Sequence, residues 1–164
     1  MRNIAVAILV VIMASIIIEP LVELANVFRE KITVGSAVSG ALRAARDRSL
    51  EDELLRELDA RVDEERFKEY FADSFGDALH VSESNDAGDE VTFTSDDGKF
   101  NPFTVSFVFD EYTDLKGRIV TQVIVKAESK YKFKTKYLKL AEAAGSSGEY
   151  KLVSEQKYLL SVRN

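Results

Sequence analysis

The chain has 164 residues, 46% of them hydrophobic, a net charge of −6 and no cysteine. This length fits one ordinary domain, and the lack of cysteine excludes a disulfide scaffold and thiolate metal sites. The negative charge argues against general nucleic-acid binding, so no nucleic-acid partner is expected.

The chain opens with an apolar stem, Ile4–Ile18, which carries no charge. Arg2 and the terminal amine precede the stem. Positive charge on this short leading side predicts a cytoplasmic N-terminus, with the rest of the chain outside. Because a membrane-spanning helix needs about 20 apolar residues, the stem is short for a complete span.

Acidic residues follow the stem. A span extended as far as Phe28 would include Glu19, Pro20 and Glu23. Each carboxylate near the bilayer centre would cost roughly 2.5–3.5 kcal/mol, so we expect both at the outer interface or packed against protein. Pro20 lacks a backbone N–H, so it predicts a kink in one long helix that runs on to Arg46.

Three interpretations of the stem stay open. A cleaved signal peptide has an apolar region of this length, although no clean A-x-A cleavage site follows Ser15. A simple uncleaved single-pass anchor is the second interpretation. In the third, the helix lies first in the membrane and later in the core of a helical filament of identical chains.

The stalk that follows the stem is rich in small residues at four-residue spacing. Such spacing lets two helices approach closely. The contact is either between neighbouring subunits or between the stalk and its own head. The candidate assembly residues of the stem and stalk are Ile4, Ile8, Val11, Ile12, Glu19, Pro20, Ala37, Gly40, Ala41 and Ala45.

The order of apolar stem, acidic residue with proline, and the segment AVSGALRAARD resembles the TadE-like members of the type IV pilin superfamily. In that family a membrane helix runs into an alanine-rich segment that closes with a pattern similar to Ala41–Arg46. The resemblance covers residues 1–50 and implies a subunit of an extracellular filament. It also implies partners: the membrane and the pilus assembly machinery before assembly, and copies of the chain itself afterwards.

The chain departs from that family at its start. The family's leader ends in a small residue that a prepilin peptidase cuts, and a glutamate follows soon after the cut. This chain has no glycine before Gly35 and no glutamate before Glu19. Two expectations follow: either Met1 lies near the mature end of a chain whose leader has been removed, or no such processing occurs.

Two acidic helices are predicted after the stalk, starting near Ser49 and Asp63, within a segment 50–97 of net charge −13. Apolar residues recur along both at helical spacing, which predicts two faces that pack on the sheet that follows. The first face holds Leu50, Leu54, Leu55, Leu58 and Val62, and the second holds Phe67, Tyr70, Phe71, Phe75 and Leu79.

The polar segment Ser82–Glu90 predicts a flexible loop. Its Asn85, Asp86, Asp89 and Glu90 carry the oxygen ligands that calcium prefers, but their spacing is not that of an EF-hand loop. A solvated acidic loop is the ordinary interpretation. No cofactor is expected, with calcium at this loop kept as an alternative.

The C-terminal half predicts an antiparallel meander of four or five strands, with the helices covering one face. Apolar and polar residues alternate over Phe103–Asp110, which is typical of a strand with one buried face. The other predicted strands are Val91–Thr94, Ile119–Ala127, Tyr131–Leu140 and Tyr150–Val162, with the middle two either separate or joined as one long bent strand.

Lys130, Lys132, Lys134 and Lys136 alternate with mostly aromatic residues along one predicted strand, and residues 126–139 carry a net charge of +5. A solvated lysine row protects an edge strand from aggregation. Alternatively, the row is a charge surface between subunits that docks the −13 segment of a neighbour. Binding of single-stranded nucleic acid, which uses basic residues interleaved with aromatics, is a third interpretation.

Catalytic patterns are missing from the sequence. His80 is the single histidine and follows a predicted helix beside an acidic segment, which indicates a surface residue. No motif for a nucleophile, a phosphate-binding loop or a zinc site occurs, so we expect no enzyme.

The sequence therefore predicts an α+β fold: a long N-terminal hydrophobic helix kinked near Pro20, then short helices and an antiparallel sheet. Residues 1–48 are expected to form the stem and stalk, and residues 49–164 an extracytoplasmic head. The expected function is that of a structural subunit in a type IV pilus-like, Tad-like filament. The alternative is a single-pass membrane protein whose head binds a partner without polymerising.

Overall fold

The computed structural model describes residues 2–49, 62–113, 119–145 and 150–160. The described elements are α1 (Arg2–Ser49), α2 (Glu64–Leu79), β1 (Val81–Asp86), β2 (Glu90–Ser95), β3 (Phe103–Thr113), β4 (Ile119–Lys130), α3 (Lys136–Ala143) and β5 (Lys151–Leu160). The strands form one antiparallel sheet in the order β1-β2-β3-β4-β5. The predicted α+β fold with its meander is thereby confirmed. The first predicted acidic helix, over 50–61, lies outside the described residues.

Helix α1 is by far the longest element, with 48 residues, and it runs through Pro20 without interruption. At about 1.5 Å per residue the helix is roughly 72 Å long. Its last turn carries Arg46 and Arg48, which suit the negative end of the helix dipole. The kink near Pro20 stays a prediction.

Helix α2 begins where the sequence predicted, because Asp63 caps it. The Asp63 carboxylate accepts a hydrogen bond from the Arg66 N–H at 3.1 Å, which satisfies one of the donors left open at a helix start. The predicted apolar face of α2 is confirmed, and Tyr70 at its side is half-buried. Its fully buried members recur at four-residue spacing: Phe67, Phe71, Phe75 and Leu79.

The core lies between the helices and one face of the sheet. Every second residue is buried from Phe103 to Phe107 on β3 and from Thr121 to Ser129 on β4, and the pairing of Phe107 with Val125 is one of eleven between these strands. A one-residue slip would turn all these side chains to the other face, so burial fixes the register. The second half of α1 enters the same core through Val34, Ala37, Val38, Ala41, Leu42 and Ala45.

The predicted loop Ser82–Glu90 is wrong over its first part, because Val81–Asp86 forms strand β1. Only Val81 is buried in this strand, and it pairs with β2 through the backbone, with an irregularity between Glu83 and Asn85. Because this edge strand is held by backbone hydrogen bonds and its side chains are polar, its sequence has no apolar alternation from which a strand could be predicted. An acidic, irregular edge strand also resists pairing with another chain.

The predicted strand Tyr131–Leu140 is wrong. Strand β4 ends at Lys130, and α3 begins at Lys136. Residues 131–135, named the strap below, are joined to the chain just before β5 by a hydrogen bond from the Tyr131 N–H to the Tyr150 carbonyl at 2.7 Å. The alternation marks an extended segment with a buried Tyr131, and the lysine, leucine, alanine and glutamate residues that follow favour a helix.

Helix α1 and strand β5 run along each other in the same direction. Val27 packs against Leu152, and a Cβ placed on Gly35 would lie 3.8 Å from Ser154 Oγ. Further on, the Arg46 guanidinium lies 5.4 Å from the centre of the Tyr158 ring. The end of the head nearest the stem is therefore formed by the start of β5, the end of β4 and the start of β3.

We predict opposite effects for the same substitution at two helical glycines. A Cβ on Gly76 in α2 would lie 2.8 Å from the Val81 carbonyl oxygen, whereas a Cβ on Gly40 in α1 would meet nothing within 4 Å. Gly76→Ala should lower the free energy of unfolding by about 1–3 kcal/mol. Gly40→Ala should raise it by about 0.5–1 kcal/mol through the lower entropy of the unfolded chain. Denaturant unfolding of both variants in detergent measures the signs, and equal signs would contradict this packing.

Candidate functional site: the stem and its junction with the head

The stem is not covered by the head. Helix α1 is long and apolar enough to cross a membrane, and none of its most apolar 18-residue stretch is buried within the chain. The predicted assembly residues Ile4, Ile8, Val11 and Ile12 are all more than half exposed. Twenty residues, 3–22, would reach roughly 30 Å, which matches the hydrocarbon thickness of a bilayer. This segment is called the span.

A row of exposed apolar side chains continues beyond the span. Leu24, Phe28 and Ile32 follow at four-residue spacing and are 47%, 57% and 69% exposed. That spacing places them along one side of α1. The head covers another side of the same turns, so these three residues, named the apolar row, remain open.

Glu23, the first residue after the span, is buried at 3% exposure. Its carboxylate accepts hydrogen bonds from the backbone N–H groups of Lys134 at 2.8 Å and Thr135 at 2.9 Å. Burial alone would raise the pKa of Glu23. The Lys134 N–H, the neighbouring Tyr131 hydroxyl and the N–H and hydroxyl of Thr135 outweigh burial and lower this pKa. The carboxylate is therefore held ionised by the strap.

Glu30, seven residues later, binds the same strap. It is buried at 4% exposure and forms a salt bridge with the Lys134 ammonium group. Because a buried carboxylate without a partner is costly, Lys134 stabilises α1 against the strap. The two glutamates thus hold the strap by its backbone and by one of its side chains.

An apolar contact lies between the two glutamates. Val27, Tyr131 and Leu152 form a buried cluster, with Phe133 packed against it. Burial, then the Glu23 carboxylate and the more distant Glu30, raise the pKa of the Tyr131 hydroxyl. This combination of two carboxylates and one apolar cluster on the strap is named the junction.

The predicted stalk residues divide into two groups. Ala37, Ala41 and Ala45 are buried in the head's own core, so the small-residue spacing serves packing of the stalk on its own head. Gly40 lies on the exposed side of the helix, as does Pro20 near the stem. Glu19 is half-buried, and one of its carboxylate oxygens is buried without a hydrogen bond from the described part of the chain.

The lysine row is divided among three kinds of structure. Lys130 ends β4, Lys132 and Lys134 lie in the strap, and Lys136 starts α3. The Lys132 ammonium group donates to the Gly98 carbonyl at 2.6 Å, and Lys134 is held by the junction. The two central lysines are therefore engaged within the chain, and the flat strand face predicted for docking a neighbour is not formed.

Two of the acidic residues proposed for calcium also have partners within the chain. Asp86 accepts a hydrogen bond from the Gly88 N–H at 2.8 Å, and Asp89 forms a salt bridge with Lys68 at 3.0 Å. Over the described ranges, no three acidic or histidine side chains are grouped to hold a metal ion. His80 is exposed directly after α2, as the sequence predicted.

No protein-family model matches the chain, and neither a curated protein nor a solved structure matches it significantly. The stem and the junction are therefore the observations from which function is inferred.

Sequence reasoning missed the junction, although a signal was present. Glu23, Val27, Glu30 and Val34 follow at spacings of four, three and four, which places them on one face of a helix. Two carboxylates on an otherwise apolar face indicate buried partners rather than solvent. Their partners, two backbone N–H groups and a lysine more than one hundred residues away, leave no local trace.

We predict that Glu23 makes the fold sensitive to acid. Because its pKa is lowered in the folded chain, Glu23 stabilises the fold above the ordinary carboxyl pKa of about 4.3. This stabilisation is lost as the pH falls through the lowered value. Glu23→Gln should cost about 1–3 kcal/mol at pH 7 and weaken the loss of stability in acid.

Thermal unfolding between neutral pH and pH 3 measures this effect, with Glu142→Gln at an exposed site of α3 as the matched control. The control should follow the parent at every pH. Parallel pH profiles for the parent and Glu23→Gln would show that the carboxylate does not contribute through its charge.

Proposed function

We propose that the chain is a structural subunit of a type IV pilus-like, Tad-like filament, in which stems bundle in the core and heads form the surface. The observation that carries the proposal is the exposed apolar side of α1, which continues past the span to Ile32. The resemblance of residues 1–50 to TadE-like pilins supports the same function.

The length of the exposed apolar side favours a bundle over lipid alone. From residue 3 to residue 32 the helix reaches roughly 45 Å, against roughly 30 Å of hydrocarbon. A bilayer can cover the span but leaves Phe28 and Ile32 beyond it, at 57% and 69% exposure. Stems of neighbouring copies would cover the apolar row along its whole length, and this cover stabilises the filament.

The rigid connection between stem and head also favours assembly. Helix α1 passes from the span into the core without a loop, and the junction fixes it from the side. A simple anchor works equally well on a flexible tether. A filament subunit needs each head at a fixed angle to its stem, because every copy must make the same contacts.

The burial of Ala37, Ala41 and Ala45 changes which residues would carry contacts between subunits. These three alanines are used within the chain. The contacts between stems then fall on Ile4, Ile8, Val11 and Ile12, on the apolar row, and on the exposed side of the stalk around Gly40.

The alternative function is a single-pass membrane protein whose head binds a partner without polymerising. This alternative is favoured by the packing of the stalk on its own head. A stalk whose small residues are already buried in its own head needs no helix from a second copy. In both functions the membrane holds the stem before any assembly.

For either function we propose that the N-terminus is cytoplasmic and the head lies outside, supported by Arg2 before the stem. Protease added to intact cells or spheroplasts should then digest the head. Arg29 and Lys31 on the head side of the span favour the opposite orientation. A head that is cut only after the membrane is opened would establish that opposite orientation.

Crosslinking through a cysteine tests filament formation, since the chain has no other thiol. Ala25→Cys places the thiol at an exposed position beside the apolar row. Oxidation in cells should give a ladder of dimers and higher species. Adding Phe28→Ser and Ile32→Ser should remove the ladder and leave membrane insertion intact, because the span is unchanged.

The matched control removes two exposed apolar side chains from β3 instead, with Val108→Ser and Tyr112→Ser. The ladder should persist in this control. A parent that gives only monomer would reject the filament and favour the single-pass binding protein.

A further inference from the structure

Helix α3 lies at the end of the head that faces the stem. Its N-cap residue, Thr135, donates its N–H to Glu23, the first residue after the span. Near its other end, Glu142 lines a cavity of about 560 Å³ with Pro102 and Lys151, at the stem-side ends of β3 and β5. Both ends of α3 are thus at the level of the membrane surface if the span fills the bilayer.

The exposed face of α3 has the composition of an interfacial helix. Lys136, Lys139 and Leu140 are exposed at spacings of three and one, which places them on neighbouring positions of one face, and Leu140 is 67% exposed. Tyr150 and Lys151 are exposed close by, before and at the start of β5. Lysines beside exposed apolar and aromatic residues are typical of surfaces that lie in lipid headgroups.

The lysines of this surface are not held in salt bridges by the described part of the fold. In the part of the chain that the structure describes, the ammonium groups of Lys136, Lys139 and Lys151 form no salt bridge. Glu128 on β4 and Glu142 on α3 lie nearby, and Lys126 and, to a lesser extent, Lys151 lower the pKa of the Glu128 carboxyl. Within the lysine row, Lys134 therefore binds the stem helix, whereas Lys136 is exposed together with Lys139 on α3.

We propose that α3, with Tyr150 and Lys151, is a docking surface for the anionic phospholipid headgroups of the membrane that holds the stem. The proposal rests on the membrane role of the stem stated above. Charge complementarity and continuity with the span select this partner, because the N-cap residue of α3 is hydrogen-bonded to Glu23, the first residue after the span. Lipid binding here holds the stem-side end of the head against the membrane before assembly and takes the place of the docking of lysines on an acidic neighbour.

The test uses the full chain in nanodiscs, with a fluorophore on Ala143→Cys at the exposed end of α3. Quenching by nitroxide-labelled headgroups is measured as phosphatidylglycerol replaces phosphatidylcholine. Quenching should rise with phosphatidylglycerol and fall at high salt, since surface charges are then screened. Lys136→Gln with Lys139→Gln should weaken the association of α3 with phosphatidylglycerol roughly 30-fold, because each lysine near an anionic surface contributes about 1 kcal/mol.

Lys157→Gln is the matched control, because Lys157 is an exposed lysine of β5 far from the stem-side end. It should respond as the parent does. A chain that inserts but shows no response to phosphatidylglycerol, or a double glutamine variant that responds like the parent, overturns the docking surface alone. A chain that stays outside the nanodiscs overturns the membrane role of the stem and this surface with it.

Discussion

One helix has to satisfy two environments, and the rest of the structure depends on how the change between them is made. Helix α1 exposes apolar side chains on all sides over the stem and then enters the core of a folded head. The change occurs at Glu23, whose carboxylate is too polar for lipid and instead accepts a backbone N–H of the strap at each of its two oxygens. Burying a charge at this point is tolerable only because these donors are present.

The junction therefore sets the height and angle of the head. The strap binds α1 through Glu23 and Glu30, and the strap also leads into α3 and lies beside the start of β5. Since α1 continues into the core without a loop, the head has no separate freedom to rotate about the stem. A fixed angle suits both repeated assembly of identical subunits and contact of α3 with the lipid surface, which are successive states of one molecule in the functions proposed.

The features that sequence revealed are those governed by local chemistry and one-sided burial. Asp63 predicts the start of α2 because its side chain can cap a helix. The alternation after Phe103 predicts β3 because it fits a strand with one buried face. Strand β1 was not predicted, because its polar residues pair with β2 through the backbone and show no apolar alternation. The strap was mistaken for a strand since an extended segment with one buried face has the same alternation. The junction was not predicted, because α1 and the strap are brought together only by the completed fold.

The central claim is that α1 is one rigid element from the proposed membrane span into the head, locked by the junction. Amide hydrogen exchange of the full chain in nanodiscs, read along α1, tests this claim most directly. We expect residues 23–34 to exchange as slowly as residues 35–45 in the core, with no unprotected stretch between span and head. Fast exchange over residues 20–30, while the core stays protected, would reveal a hinge at the junction and contradict the claim.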